Sequence, residues 1–266
     1  MSLPPLLLVG GGRMGAAMLA GWRERGLAPS VVVDPAPAAT ALAGPGVQVV
    51  PDAAAVPAGF RPAAVVLAVK PQASEAALPA YAGLARNAVA LSIMAGRGAA
   101  GVAGLLGGAP VVRAMPNTPA AIRRGITVAY AGPGVDAGQR ALCDALLASV
   151  GEVAWVGDEA LLDPVTAISG GGPAYVFLLA ELLERAGRDA GLPPALARQL
   201  ARATVAGSGA LLAASADDAD ALRRAVTSPG GTTERALAVL MADAAWPALV
   251  PRAIEAATAR SRELAS

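Results

Sequence analysis

Residues 6–22, LLLVGGGRMGAAMLAGW, carry the reading on which the fold turns. Four apolar residues run into Gly10-Gly11-Gly12-Arg13-Met14-Gly15, and apolar residues at helical spacing follow. A short apolar run bounded by glycine reads as a buried strand, and a three-to-four-residue apolar spacing reads as a helix. The glycines therefore sit between strand and helix in the pattern G-x-G-x-x-G. In that context they serve a tight turn, close backbone approach to a pyrophosphate, and close helix–strand packing. The helix start adds unpaired N–H groups and the positive end of its dipole. Gly10, Gly12, Arg13, Met14 and Gly15 are the first candidate cofactor residues.

The same alternation continues outward. SVVVDP (30–35), VQVV (47–50), AAVVLAVKP (63–71), AVALSIMAG (88–96), PVVRAMPN (110–117), ITVAYAG (126–132) and EVAWVGD (152–158) read as strands. Their β-branched runs lack polar alternation, which suits a parallel sheet covered on both faces. The expectation is an α/β protein whose residues 1–157 form a doubly wound, Rossmann-like dinucleotide-binding domain. Beyond it the strands stop. Stretches 174–191, 194–215, 219–226, 233–243 and 247–264 all carry helical spacing, so 158–266 is expected to be all-helical. Gly191-Leu192-Pro193 reads as a helix stop and restart. Gly207 and Gly209 serve either close helix approach or simple filling.

Composition narrows the function. The 266 residues are 55% hydrophobic with a net charge of +1, without the basic stripe of a nucleic-acid binder. No apolar run reaches the ~18 residues of a membrane span. The N-terminus lacks the basic start and small-residue end of a signal peptide. One cysteine, Cys143, excludes an intrachain disulfide and fits a reducing, cytoplasmic setting. There is no histidine, which removes the Ser-His-Asp triad and paired-histidine zinc sites, and no metal is expected. Lys70 is the single lysine among 21 basic residues, and it follows a buried strand at the sheet edge where open α/β folds bind ligands. A place near the nicotinamide ribose or phosphates suits it. Asn117 has two readings, orienting a nicotinamide carboxamide or capping a turn.

Asp34 ends the second expected strand, nineteen residues beyond Gly15. A carboxylate there accepts hydrogen bonds from ribose hydroxyls and repels a 2′-phosphate. The following PAPAATALAG has no cation, so the local reading favours NADH. Arg13 is the nearby cation that can instead accommodate NADPH.

VTSPGGTTERAL (226–237) interrupts Ala- and Leu-rich helix. Helix interiors disfavour Pro and Gly by about 3 and 1 kcal/mol against Ala. Ser228 as N-cap with Pro229 in the first turn accounts for Ser-Pro, but leaves two glycines and two threonines unexplained.

Four stretches together resemble the pyrroline-5-carboxylate reductase family: GGGRMGAAMLAGW, AVKPQ, VVRAMPNTPAAIRRGIT, and SGGGPAYVF through AVTSPGGTTERAL. The resemblance spans essentially the whole chain in order. It implies a Rossmann domain, a helical domain that intertwines with a partner subunit, and NAD(P)H-dependent reduction of a cyclic imine. The reaction it implies is L-1-pyrroline-5-carboxylate to L-proline, the last step of proline biosynthesis. Other readings are a reductase of 1-pyrroline-2-carboxylate or a six-membered imine, or a non-catalytic dinucleotide-binding protein. By motif position Thr233 corresponds to the substrate-facing hydroxyl, and Ser228, Gly230, Gly231 and Thr232 belong to its loop. Gly230 and Gly231 are expected to leave N–H groups open to a substrate carboxylate at a helix start. Ala68, Val69, Lys70 and Pro71, with Asn117, correspond to loops beside the nicotinamide half. The implied assembly is a homodimer that can build a larger homo-oligomer. A β-hydroxyacid dehydrogenase needs a lysine on the second domain, and none follows Lys70.

Overall fold

The computed structural model describes residues 2–265. They form two compact units, one running through residue 170 and taking in the chain from 257, the other covering 171–256. The first unit is built on β1 (Leu6–Val9), β2 (Ser30–Val33), β3 (Val47–Val50), β4 (Ala64–Leu67), β5 (Val89–Ser92), β6 (Val111–Met115), β7 (Gly125–Ala131) and β8 (Gly151–Val156). All eight expected strands are present. Their order is β3-β2-β1-β4-β5-β6-β7-β8, whose first six positions are the order of dinucleotide-binding sheets.

Side-chain alternation divides the core in two. Leu6 and Leu8 face one side of the sheet, Leu7 and Val9 the other. The first face is covered by α1 (Arg13–Glu24) and by α5 (Ala137–Leu147). Gly15, Met18, Leu19 and Trp22 are buried on α1 at the spacing of a single helix face. Trp22 is fully buried, and its Nε1 donates to Leu146 O at 3.0 Å. A side chain of this size in a closed core is worth about 3–5 kcal/mol, against net stabilities of about 5–15 kcal/mol. The second face carries the short turns α2 (Ser74–Ala77) and α3 (Ala82–Ala85), then α4 (Ala99–Leu105), with Leu78, Tyr81, Val102 and Leu106 buried beneath them.

The sheet is mixed rather than wholly parallel, as the strand composition alone suggested. β7 runs antiparallel to β6, and β8 runs parallel to β7. The cause is the connection: a single 3-10 turn, Thr118–Ile122, joins β6 to β7, too little chain for a crossover, while α5 returns the chain for β8.

The first unit also continues past the expected boundary at 157/158. In α6 (Leu162–Val165), Leu162 is fully buried against Met115 and Val128. Thr166–Gly170 then form a π-turn. The end of the last helix belongs here as well: Ser261 Oγ donates to Asp163 Oδ1 at 2.7 Å.

The second unit comprises α7 (Gly172–Asp189), α8 (Pro194–Ala214), α9 (Ala219–Ala225), α10 (Thr232–Leu240) and most of α11 (Trp246–Ala265). At the expected stop, Gly191 is left-handed with φ +91°, Leu192 N donates to Gly187 O at 3.0 Å, and Gly191 N donates to Arg188 O at 2.9 Å. This is the Schellman arrangement, and Pro193 prevents the helix from continuing. Close helix approach occurs at Gly187, where an added Cβ would lie 3.2 Å from that of Ala197; around Gly207 and Gly209 there is open space in the chain. Phe177, Leu178, Leu182 and Leu183 on α7 are exposed. The stretch Glu159–Asp189 is long and apolar enough, by length and composition, to cross a membrane, and 6% of its apolar window is buried within the chain.

Candidate functional site

The glycine loop crosses the carboxyl end of β1, next to β4, where the strand order reverses. Its backbone runs directly against that of its neighbours. Gly10 has φ +101°, and a Cβ there would lie 2.6 Å from Ala68 O; one on Gly15 would lie 2.2 Å from Gly10 O. Both positions exclude any side chain. Gly12 differs, with nothing within 4 Å of its added Cβ. It is the N-cap of α1 and offers no side-chain cap, so the first N–H groups of the helix stay open. Arg13, the first helical residue, is exposed, and Met14 is half-buried against the core.

A cleft of about 750 Å³ opens beside this loop. Gly10, Gly12, Asp34, Ala68, Val69 and Lys70 line it. Lys70 is exposed on its rim, and Pro71 starts a 3-10 turn directly after it. Of the sequence-based cofactor residues, Gly10, Gly12, Asp34, Ala68, Val69 and Lys70 are thus brought to one cleft, while Arg13, Met14, Gly15, Pro71 and Asn117 do not line it. A second depression of about 620 Å³, lined by Phe60, Arg61 and Arg86 among others, includes no residue of the glycine loop.

Asp34 does more than line the cleft. Its Oδ2 accepts from Gly11 N at 2.6 Å and its Oδ1 from Ala36 N at 2.8 Å. The carboxylate braces the glycine loop, a role the strand-end reading missed. The Ala36 half is an Asx-turn, which Asp-Pro-Ala in the sequence does signal. Tyr81 also lines the cleft unforeseen, nothing in its local sequence marking it. Burial, and then the charge of Asp52, hold its hydroxyl above the usual tyrosine range.

Asn117 has an internal use. Its Oδ1 accepts from Ile126 N at 3.0 Å and its Nδ2 donates to Ser169 O at 3.2 Å, clasping the start of β7 to the π-turn. It makes no side-chain cap of its own turn. Among the described residues no cluster of three His, Cys, Asp or Glu is placed for a metal.

In the second unit, Ser228–Gly231 form a β-turn closed by Gly231 N donating to Ser228 O at 3.0 Å. Pro229 takes the first corner and Gly230, with φ +71°, the second, as a type II turn requires. Gly231 is the N-cap and α10 starts at Thr232, so Ser228 caps nothing. The expected donors shift accordingly. Gly230 N–H is taken by Glu234 Oε2 at 2.8 Å, and Gly231 N–H closes the turn. The open donors are the N–H groups of Thr232, Thr233 and Glu234, the first three of the helix. Thr233 is half-buried, and its hydroxyl has no hydrogen-bond partner among the described residues.

The glycine cradle suits a dinucleotide: backbone exposed at Gly12, open helix N–H groups, and a carboxylate at the end of β2. Residues 6–96 match the family model described as NADP oxidoreductase, coenzyme F420-dependent, and residues 159–264 match that of pyrroline-5-carboxylate reductase dimerisation. The chain is 40% identical to the pyrroline-5-carboxylate reductase of Pseudomonas aeruginosa, over 100% of this chain and 98% of the relative. The chain belongs to the pyrroline-5-carboxylate reductase family. Among solved structures, that of the pyrroline-5-carboxylate reductase of Coxiella burnetii superposes with a TM-score of 0.90 at 31% identity, covering 98% of each chain. The pyrroline carboxylate reductase of Plasmodium falciparum, solved with NADP bound, gives 0.84 at 25% identity over 100% of both. Family membership also accounts for the exposed apolar face of α7, which lies within the dimerisation match.

Gly12→Ala separates binding from folding in this reductase. The added methyl meets no protein atom but intrudes on the open cradle. Thermal stability is expected to stay at the wild-type level while coenzyme affinity, measured by titrating protein fluorescence, falls tenfold or more, the order of about 1.4 kcal/mol. Unchanged affinity would place the coenzyme elsewhere.

Proposed function

We propose that the first unit carries the coenzyme site, with reduced nicotinamide dinucleotide lying across the β1/β4 cleft, and that the helical region after β8, within the dimerisation match over 159–264, carries the substrate site and the dimer interface. The chain is an NAD(P)H-dependent reductase acting on a C=N bond. Its reaction is reduction of L-1-pyrroline-5-carboxylate to L-proline, the final step of proline biosynthesis. The observation that carries this reading is the coexistence of the Gly12 cradle with an unpartnered Thr233 hydroxyl at an open helix start.

The chain's own residues bind and orient. Gly10, Gly12, Arg13, Met14 and Gly15 hold the pyrophosphate by backbone and helix dipole. Ala68, Val69, Lys70 and Pro71, with Asn117, border the nicotinamide half. The N–H groups of Thr232, Thr233 and Glu234 receive the substrate carboxylate, on the turn shaped by Ser228, Gly230 and Gly231. Thr233 Oγ1 hydrogen-bonds the ring nitrogen. The bound coenzyme supplies a hydride to the imine carbon.

Coenzyme preference rests on Asp34. After accepting two backbone N–H groups it keeps lone pairs for a ribose hydroxyl, and its charge opposes a 2′-phosphate. No cation lies in residues 35–44, and Arg13 is not among the residues lining the cleft. NADH is favoured.

The partner in assembly is a second copy. The apolar face of Glu159–Asp189 falls inside the dimerisation match, so a partner subunit, rather than lipid, covers it. We assign a homodimer, the unit of any larger homo-oligomer, in the cytoplasm, without nucleic-acid or membrane partners.

The deciding experiment follows nicotinamide absorbance with pyrroline-5-carboxylate and each coenzyme. Turnover is expected, with NADH used at least as well as NADPH. No turnover would leave a non-catalytic binding protein, and an NADPH advantage above about tenfold in kcat/KM, some 1.4 kcal/mol, would overturn the Asp34 argument. In the same assay Thr233→Val should fold normally and lose about 2- to 13-fold in kcat/KM, the worth of one neutral hydrogen bond. Wild-type kinetics would remove Thr233 from the site.

Reducing the imine also requires a proton on nitrogen. No histidine exists to give it. Cys143 is fully buried, and desolvation pushes its thiol up to about 12. The substrate, itself basic, enters as an iminium ion, which is also the better hydride acceptor. The alkaline limb of kcat/KM should therefore move with the pKa of the imine supplied, while Cys143→Ala and Lys70→Arg leave its position unchanged. A limb fixed across imines would show that the protein supplies the proton.

A further inference from the structure

Arg113 on β6 is 4% exposed, a guanidinium inside the sheet's second face. Its Nη1 donates to Glu159 Oε1 at 3.1 Å, while its Nε and Nη2 have no hydrogen-bond partner. The same Oε1 accepts from Ala99 N at 2.7 Å. Ala99 is the first residue of α4, whose N-cap, Gly98, has no side chain to offer. One carboxylate, 60 residues further along the chain, thus caps α4 and neutralises a buried cation. The reductase chemistry uses neither residue.

These contacts bracket residues 93–98, the segment joining β5 to α4: Arg113 is the β6 register partner of Ser92, the last residue of β5, and Ala99 follows the segment's far end. In this strand order β1 to β3 form the adenosine half of the crevice and β4 to β6 the nicotinamide half. The segment leaves the carboxyl end of β5, on the nicotinamide side. At its near end Ile93 N donates to Leu67 O at 3.1 Å, and Gly96 packs under the backbone of Leu264. Arg97 pairs at 3.0 Å with Glu75, on the turn whose Ala76 and Ala77 line the cleft. That pair is exposed, and such pairs hold little. The bond from Glu159 is what secures the segment's far end.

We infer that Glu159 is a positioning residue for imine reduction: through Ala99 N and Arg113 it fixes residues 93–98 at the nicotinamide end of the coenzyme cleft. It acts through that segment and not on the reacting atoms. The inference rests on reading the cleft as the coenzyme site.

The test uses the full-length protein and ADP-ribose, which lacks the nicotinamide. Binding of ADP-ribose to the wild type checks the cleft by itself; no binding there would overturn the cleft reading and this inference together. Given binding, Glu159→Ala should lower kcat by about 10- to 100-fold, the scale of a small misplacement at the reacting centre, with ADP-ribose affinity unchanged. Glu159→Gln keeps the acceptor oxygen and should stay close to wild type in kcat. Removing one partner leaves a buried charge uncompensated, which lowers stability whatever the catalytic role. The double variant Arg113→Met with Glu159→Ala removes that charge, so it should recover the thermal midpoint without recovering kcat. Should Glu159→Ala fail to fold, the double variant and Glu159→Gln carry the comparison. Wild-type kcat in Glu159→Ala, a parallel loss of ADP-ribose affinity, or recovery of kcat together with stability in the double variant would each overturn the positioning role.

Discussion

The first unit depends on backbone meeting backbone at the point where the strand order reverses. Gly10 lies against Ala68 O and Gly15 against Gly10 O, at separations no Cβ tolerates. This contact brings α1 down onto β1, which in turn lets Met18, Leu19 and Trp22 close the core on one face. It also aims the open end of α1 into the cleft formed with Asp34 and Lys70. Close packing thus requires Gly10 and Gly15, whereas Gly12, around which there is space, is free of that constraint.

The strands were legible because burial on both faces leaves a plain mark: Ser30–Val33 and Ala64–Leu67 are buried at every position. The direction of β7 was not legible. A strand buried on both faces reads alike in either sense, and direction is set by the connection, here a 3-10 turn instead of a helix. The boundary between units was similarly hidden. Leu162 is an ordinary apolar residue in sequence; its burial against Met115 and Val128, with the bonds of Glu159 and Ser169, ties the connector to the first unit.

At the candidate sites, the motifs mark some residues that meet at one cleft but not what their atoms do. The interruption at 228–231 is a type II turn, with Gly230 there for its positive φ and Gly231 as a bare N-cap. The open donors consequently sit on the two threonines and Glu234, not on the glycines. Tyr81 and Glu159 escaped notice for another reason: each reaches its place through tertiary packing, and neither lies in a local pattern. Glu159 meets Ala99 across 60 residues of chain, a distance no motif spans.

The brace from Asp34 to Gly11 has a consequence for how coenzyme choice can change in this lineage. In the proposed reading the carboxylate that would face the ribose is also a structural tie to the glycine loop, so the two properties would be inherited as one. Exchanging Asp34 for a small neutral residue would also release Gly11 N–H and slacken the glycine loop. Were NADH the preferred coenzyme, as proposed, drift toward NADPH would be steered to routes that keep the carboxylate, such as cations recruited into residues 35–44 or a new use for Arg13.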